Sequence, residues 1–170
     1  LRASFKGLGL VAVAVVLLDQ ITKALVMWTM PFQTSRPVID GFVRLTYIKN
    51  QGIAFGLLSD SQLPFAFVSV IAMILILVSL RRLPRDAAAP RYALAAILGG
   101  AAGNLIDRIR FGEVVDFIDI GVGTLRWPVF NLADVAVTTG VFLFVLGSVL
   151  KRDDPATRLE PKEGPSLGSA

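Results

Sequence analysis

A chain of 170 residues that is 54% apolar, with a mean hydropathy of +0.67 and its apolar residues gathered in long runs, is too greasy for a soluble domain and reads as an integral membrane protein. The 17 basic against 13 acidic residues, a net charge of +4, flank those runs, so the excess bears on membrane orientation and nucleic acid is not expected as a partner. With no Cys and no His, thiolate nucleophiles, disulfides, His-based triads and the usual zinc ligand sets are excluded, leaving carboxylates, Ser, Lys and Tyr for chemistry.

Residues 8–27 are nearly continuous apolar sequence behind Arg2 and Lys6, about 20 residues or about 30 Å of helix, enough to cross a hydrocarbon core. Ala12, Val13 and Ala14 have some character of a signal-peptide cleavage site. They lie inside the run, however, and the apolar pattern resumes beyond Asp19, so a retained anchor is expected. Asp19 and Lys23 sit four apart on that helix and can neutralise each other, either as a helix-end pair with Lys23 snorkelling to the interface or as part of a site.

Residues 31–60 are mixed and punctuated by Pro31, Pro37 and Gly41. After Gly41, Val43, Leu45 and Tyr47 alternate with Arg44, Thr46 and, imperfectly, Lys49, which predicts a half-buried strand. Asn50, Gln51 and Gly52 read as a turn, and Ile53 to Leu58 as a second short strand or a segment dipping into the interface. A small β-rich cap outside the bilayer is predicted.

Residues 64–80, 92–106 and 132–150 are the second, third and fourth predicted spans, with Pro64 tolerated in a first helical turn. Arg81, Arg82, Arg85 and Arg91 crowd the short loop between the second and third. Ten of the 17 basic residues fall on the side of the termini and this loop, which predicts both termini in the cytoplasm and the acid-rich stretch outside. Residues 1–150 are expected to be one membrane-embedded domain, and 151–170 a polar, disordered cytoplasmic tail.

Residues 99–134 hold five carboxylates, Asp107, Glu113, Asp116, Asp119 and Asp134, beside otherwise apolar spans. Ionisable groups there are costly, about 2.5 to 3.5 kcal/mol each at a helix centre, and so mark a candidate site. Gly99 and Gly103 form a small-xxx-small surface for which helix packing is expected, the alternative being an extended peptide lying on bare backbone. Asn104 and Asp107 are three apart, as are Asn131 and Asp134, and capping alone would explain the second pair. Capping does not explain Asp116, which projects from apolar neighbours in the predicted loop between the third and fourth spans, a setting that should raise a carboxyl pKa. That loop permits Asp116 and Asp134 to face each other. Two such carboxylates hold one proton between them, so one can accept a proton from water while the other donates to a carbonyl oxygen or leaving amine. Asp107 is the main rival for a catalytic seat, Arg108 is expected to pair with Asp107 or else meet a lipid phosphate, and Asp119 is expected to be a solvated loop acid.

DQITK at 19–23, NQGIAFG at 50–56, GNLIDR at 103–108, VVDFI at 114–118 and FNLAD at 130–134 resemble, in order and spacing, the motif set of lipoprotein signal peptidase (signal peptidase II), an aspartyl membrane peptidase family. The likeness covers nearly all of residues 8–150. It implies an all-α transmembrane fold, a four-helix membrane bundle with a small extracytoplasmic β-cradle. Asp116 and Asp134 would be the catalytic dyad, with Asp19, Lys23, Asn50, Gly52, Asn104, Asp107, Arg108, Asn131 and Ala133 positioning substrate and orienting the dyad. The implied substrate is a diacylglyceryl-prolipoprotein cleaved just before its lipidated cysteine at the outer leaflet of the bacterial inner membrane, with no cofactor or metal. Membrane lipid is an expected partner and the chain an expected monomer. A small ion- or proton-coupled transporter is the alternative from another class, and it predicts ionisable residues along the depth of several helices.

Overall fold

The computed structural model describes residues 3–51 and 63–152. Gly52, the stretch after it and the polar tail from 153 lie outside the described residues. Four helices and a four-stranded antiparallel sheet follow one another as α1 (Phe5–Thr29), β1 (Ser35–Ile39), β2 (Val43–Asn50), α2 (Leu63–Arg82), α3 (Ala88–Phe111), β3 (Val114–Val122), β4 (Leu125–Arg126) and α4 (Leu132–Arg152). Each helix contains one of the predicted spans. Among them α1 is long and apolar enough to cross a membrane by length and composition.

Small residues make α3 the hub: α1, α2 and α4 all pack on it, while α1 and α2 meet each other little. A Cβ at Gly99 would lie 2.6 Å from the Ala12 carbonyl of α1, and one at Gly100 would lie 2.5 Å from the Ala133 carbonyl of α4. Both contacts are closer than real side chains tolerate, so Gly99 and Gly100 serve helix packing, whereas Gly103 of the expected small-xxx-small pair makes room for the Asp19 side chain. Gly100→Ala is therefore expected to cost about 1 to 3 kcal/mol by overpacking. Gly9→Ala, whose Cβ meets nothing within 4 Å, should be near neutral. Thermal unfolding of the two variants in one detergent checks the contrast.

The outward faces of α1, α2 and α4 are apolar, with Leu10, Leu17 and Ile21, Phe67, Ile71 and Leu75, and Phe142 and Val145 all exposed. Arg91, read from sequence as a loop charge, lies instead buried in the first turns of α3. Its guanidinium donates to the Leu80 and Leu83 carbonyls (2.9 and 2.7 Å), satisfying the open C-terminal end of α2, and the Phe5 ring covers it at 5.3 Å.

The predicted strand after Gly41 is β2, paired with β1 on one side and β3 on the other. What sequence reading took for a loop around Asp116 is β3, the most buried strand of the sheet. α3 stops at Gly112, whose φ of 74° is the left-handed conformation glycine adopts without penalty, and the chain turns directly into this strand. Val115 and Phe117 point inward onto Val26, Met30 and Tyr47, forming the small core that seats the sheet on the end of α1. Alternation then sends Asp116 to the opposite face.

Candidate active site

Three backbone bonds decide where the two candidate catalytic acids stand. Phe117 and Ile118 donate to the Phe130 carbonyl at 3.0 and 2.7 Å, and the Phe130 N–H returns to Ile118 at 3.0 Å. The segment entering α4 is thus stitched to β3, which brings Asn131 beside Asp116. Asn131 is fully buried and its Nδ2 donates to Asp116 Oδ1 at 2.7 Å and to Asn104 Oδ1 at 3.0 Å. Its Oδ1 accepts from the Asp134 N–H at 3.0 Å, while Asp134 Oδ2 accepts from the Asn131 N–H at 3.2 Å. This is the reciprocal capping expected of the pair at the start of a helix.

Capping does not use all of Asp134. Its Oδ1 accepts from Asn104 Nδ2 at 2.8 Å, so one oxygen serves the helix and the other faces α3. Asp116 Oδ2 accepts from Asn50 Nδ2 at 3.0 Å, a diagonal neighbour on β2, since Asn50 itself pairs with Val114. Asn104, Asn131, Asp116, Asp134 and Asn50 thus form one connected network.

Burial is the largest influence on Asp116 and raises its carboxyl from 3.8 to about 6; the Asn50 hydrogen bond opposes this, and the negative charge of Asp134 adds to it. An acid whose folded pKa exceeds its unfolded one gives the fold an advantage below the unfolded value that disappears as pH rises through the folded value. Asp116→Asn should therefore raise the unfolding temperature relative to the parent at pH 7.5 and lose that advantage below about pH 4. Melting curves at the two pH values measure this.

Behind the network, Lys23 is buried against acids of its own helix and of α3. Its Nζ lies 2.8 Å from Asp19, 2.8 Å from Asp107 and 3.0 Å from Asn104 Oδ1. Asp19 accepts the Ala133 N–H at 3.0 Å, and Asp107 accepts the Val115 N–H at 3.1 Å. Sequence reading missed Gln20, whose Nε2 donates to Asp107 at 2.9 Å and to Asp19 and the Gly103 carbonyl at 3.2 Å. Its one signal was its place between Asp19 and Lys23 in DQITK.

Two expectations are corrected. Arg108 does not take Asp107, which is engaged by Lys23; its guanidinium is half-buried and donates to the Asn104 carbonyl at 3.2 Å. Asp119 is not a solvated loop acid: it lies in β3, 6% exposed, held by Arg126 of β4 and by Thr46 at 2.9 Å. Burial pushes its carboxyl up, but the bonds from Arg126 and Thr46 outweigh this and keep it below the usual carboxylate range.

The sequence profile described as signal peptidase (SPase) II matches residues 11–150. The chain belongs to that family. Signal peptidase II relatives include the lipoprotein signal peptidase of Geobacter sulfurreducens, 43% identical over 152 residues that cover 88% of this chain and 95% of the relative. That of Moorella thermoacetica is 47% identical over 134 residues, covering 79% and 87%. A solved structure described as a bacterial membrane enzyme superposes with a TM-score of 0.81 at 34% identity, covering 90% of this chain and 97% of that one. As a member of the signal peptidase II family the chain is a peptidase, and its apolar α1 accords with a membrane enzyme.

Proposed function

We propose that the chain is a membrane aspartyl endopeptidase that removes the signal peptide from diacylglyceryl-modified prolipoproteins, cleaving just before the lipidated cysteine. The observation that carries this is the single buried amide of Asn131 joining Asp116 to the first turn that holds Asp134, with Asn50 and Asn104 donating to one acid each. Amide donors fix both carboxylates yet leave them free to exchange a proton. In the reaction one acid takes a proton from water, whose oxygen attacks the scissile carbonyl carbon, while the other gives its proton to the carbonyl oxygen. Collapse of the tetrahedral intermediate breaks the C–N bond: the leaving amine receives a proton from the acid that first accepted one, while a hydroxyl of the intermediate returns its proton to the acid that gave it, which restores the dyad.

The position of these acids supports a lipid-bearing substrate. They sit at the ends of α3 and α4 and on the adjoining strand, and a diacylglyceryl anchor would hold a scissile bond at that depth in the outer leaflet. The apolar outer faces of α1, α2 and α4 support a four-helix, multi-pass bundle in the inner membrane, residues 1–150 forming one domain with both termini cytoplasmic. Asp19, Lys23, Asp107 and Ala133 support the dyad from behind. Half-buried Arg108, which donates to the Asn104 carbonyl, and Gly52 belong to the same supporting set. A transporter would spread ionisable groups along its helices, whereas among the described residues the helix acids Asp19, Asp107 and Asp134 are joined in one network through Lys23 and Asn104.

Purified protein in detergent, given a prolipoprotein peptide with and without its diacylglyceryl group, tests the reading. Cleavage N-terminal to the modified cysteine in the lipidated peptide is the expected result. Equal cleavage of both peptides removes the lipid from the proposal, and solute flux in liposomes without cleavage favours transport.

A further inference from the structure

α1 and α2 meet each other little, and between them, over α3, runs a groove. Its first part, about 300 Å³, is walled by Phe5, Leu8 and Gly9 of α1, Leu80 and Arg81 of α2 and Leu98 of α3. A second part of about 320 Å³ shares Ala12, Leu77 and Leu98 with the first and runs on to Leu17 and Met73. From Phe5 to Leu17 the groove follows about 18 Å of helix, close to the roughly 15 Å of one leaflet of a bilayer core. A Cβ on Gly9 would meet nothing within 4 Å, so the opening reaches the backbone of α1.

The mouth of this groove is cationic. Arg81 lines it, Arg82 follows on α2, and the Phe5 ring lies 5.6 Å from the Arg85 guanidinium and 5.3 Å from that of buried Arg91. Among the described residues the ion pairs belong to Lys23, Lys49 and Arg126, so none of these four arginines has a carboxylate within 4 Å. Arg91 uses Nη1 on the Leu80 and Leu83 carbonyls, while among the described residues its buried Nε and Nη2 have no hydrogen-bond partner. An apolar slot one leaflet long, headed by positive charge, complements a lipid whose headgroup is negative.

We propose that the α1–α2 groove binds one anionic glycerophospholipid of the cytoplasmic leaflet, an acyl chain lying along Gly9, Ala12 and Leu77 and the phosphate meeting Arg81 and Arg85. This rests on the reading above that the termini are cytoplasmic, and it concerns the end of the bundle away from the acids. Membrane orientation alone calls for arginines on that side but for no gap between the helices. A second copy related by a two-fold axis would set its own arginines against these, so charge favours lipid. The bound chain wedges α1 to α2, which otherwise hold together through α3.

Native mass spectrometry of the full-length protein released from detergent reads this lipid without any peptide substrate. Given equal phosphatidylglycerol and phosphatidylcholine, each chain is expected to retain one phosphatidylglycerol in preference. Arg81→Gln should weaken phosphatidylglycerol about fivefold, the worth of one basic side chain at an anionic surface, and leave phosphatidylcholine unchanged. Gly9→Leu fills the slot and keeps every charge, and it should weaken phosphatidylglycerol at least about tenfold, the loss of about two buried methylenes. Its unfolding temperature in lipid-free detergent should match or exceed that of the parent, since leucine replaces glycine inside a helix. No preference between the two lipids, or parental binding by Gly9→Leu, overturns the site. So does a dimer that Gly9→Leu abolishes, because a second copy then fills the groove. Asp86→Cys, a lone thiol in a chain without cysteine, tests the side separately: labelling by an impermeant maleimide from outside overturns the cytoplasmic placement of this end, while the mass spectrum still reads the lipid.

Discussion

Asp116→Asn and Asp134→Asn are each expected to reduce cleavage of a lipidated prolipoprotein peptide by at least about 1,000-fold, within the range that a positioned acid or base contributes. The amide is isosteric and retains one oxygen acceptor, so residue 116 can keep the bond from Asn131 or the one from Asn50, and residue 134 the bond from Asn104 or the one from the Asn131 N–H, each at the loss of the other. Folding should survive in both, and an unchanged helical circular dichroism spectrum would establish it. The two losses should not multiply, because either substitution already removes the proton exchange on which both acids depend. Single-turnover assays of the two single variants and the double variant decide the matter: parental cleavage by either single variant removes that residue from the chemistry.

Lys23→Met is expected to be strongly destabilising. It strands Asp19 and Asp107 in a buried layer without their shared cation, and breaking a buried pair from one side costs about 3 to 5 kcal/mol. Domain stabilities are about 5 to 15 kcal/mol, so the loss takes a large share. The double variant Lys23→Met with Asp107→Asn removes one stranded charge and should recover part of it. Thermal unfolding in a single detergent compares the three proteins; a single variant that melts with the parent would mean that the acids find another counter-charge.

Long-range order in this chain is legible where pattern repeats: the four helices, the strand after Gly41, and the Asn-to-Asp spacing at the start of α4 can all be read from period and position. β3 was not, because both of its faces are buried and its acids interrupt the apolar run, so neither the alternation of a half-exposed strand nor the uniformity of a buried one is visible in VVDFIDIGV. The misreading of Asp119 followed, since its partner Arg126 comes to it only across the β3–β4 hairpin. Arg91 was assigned to orientation by its company of arginines, while its real neighbours, the carbonyls closing α2, are set by how tightly two helices turn back on each other. The Asp19–Lys23 pair was evident from its spacing, but its reach to Asp107, Ala133 and Asn104 depends on the close approach that Gly99 and Gly103 allow.

Because α3 is the common floor for three helices that arrive at different times during synthesis, the first two have little to hold them together until the third emerges from the ribosome. Biogenesis is thus back-loaded. A chain cut before residue 88 lacks the surface that brings α1 and α2 together, and α4, the last helix made, carries Asp134 to Asn104 in the same event that completes the tertiary fold.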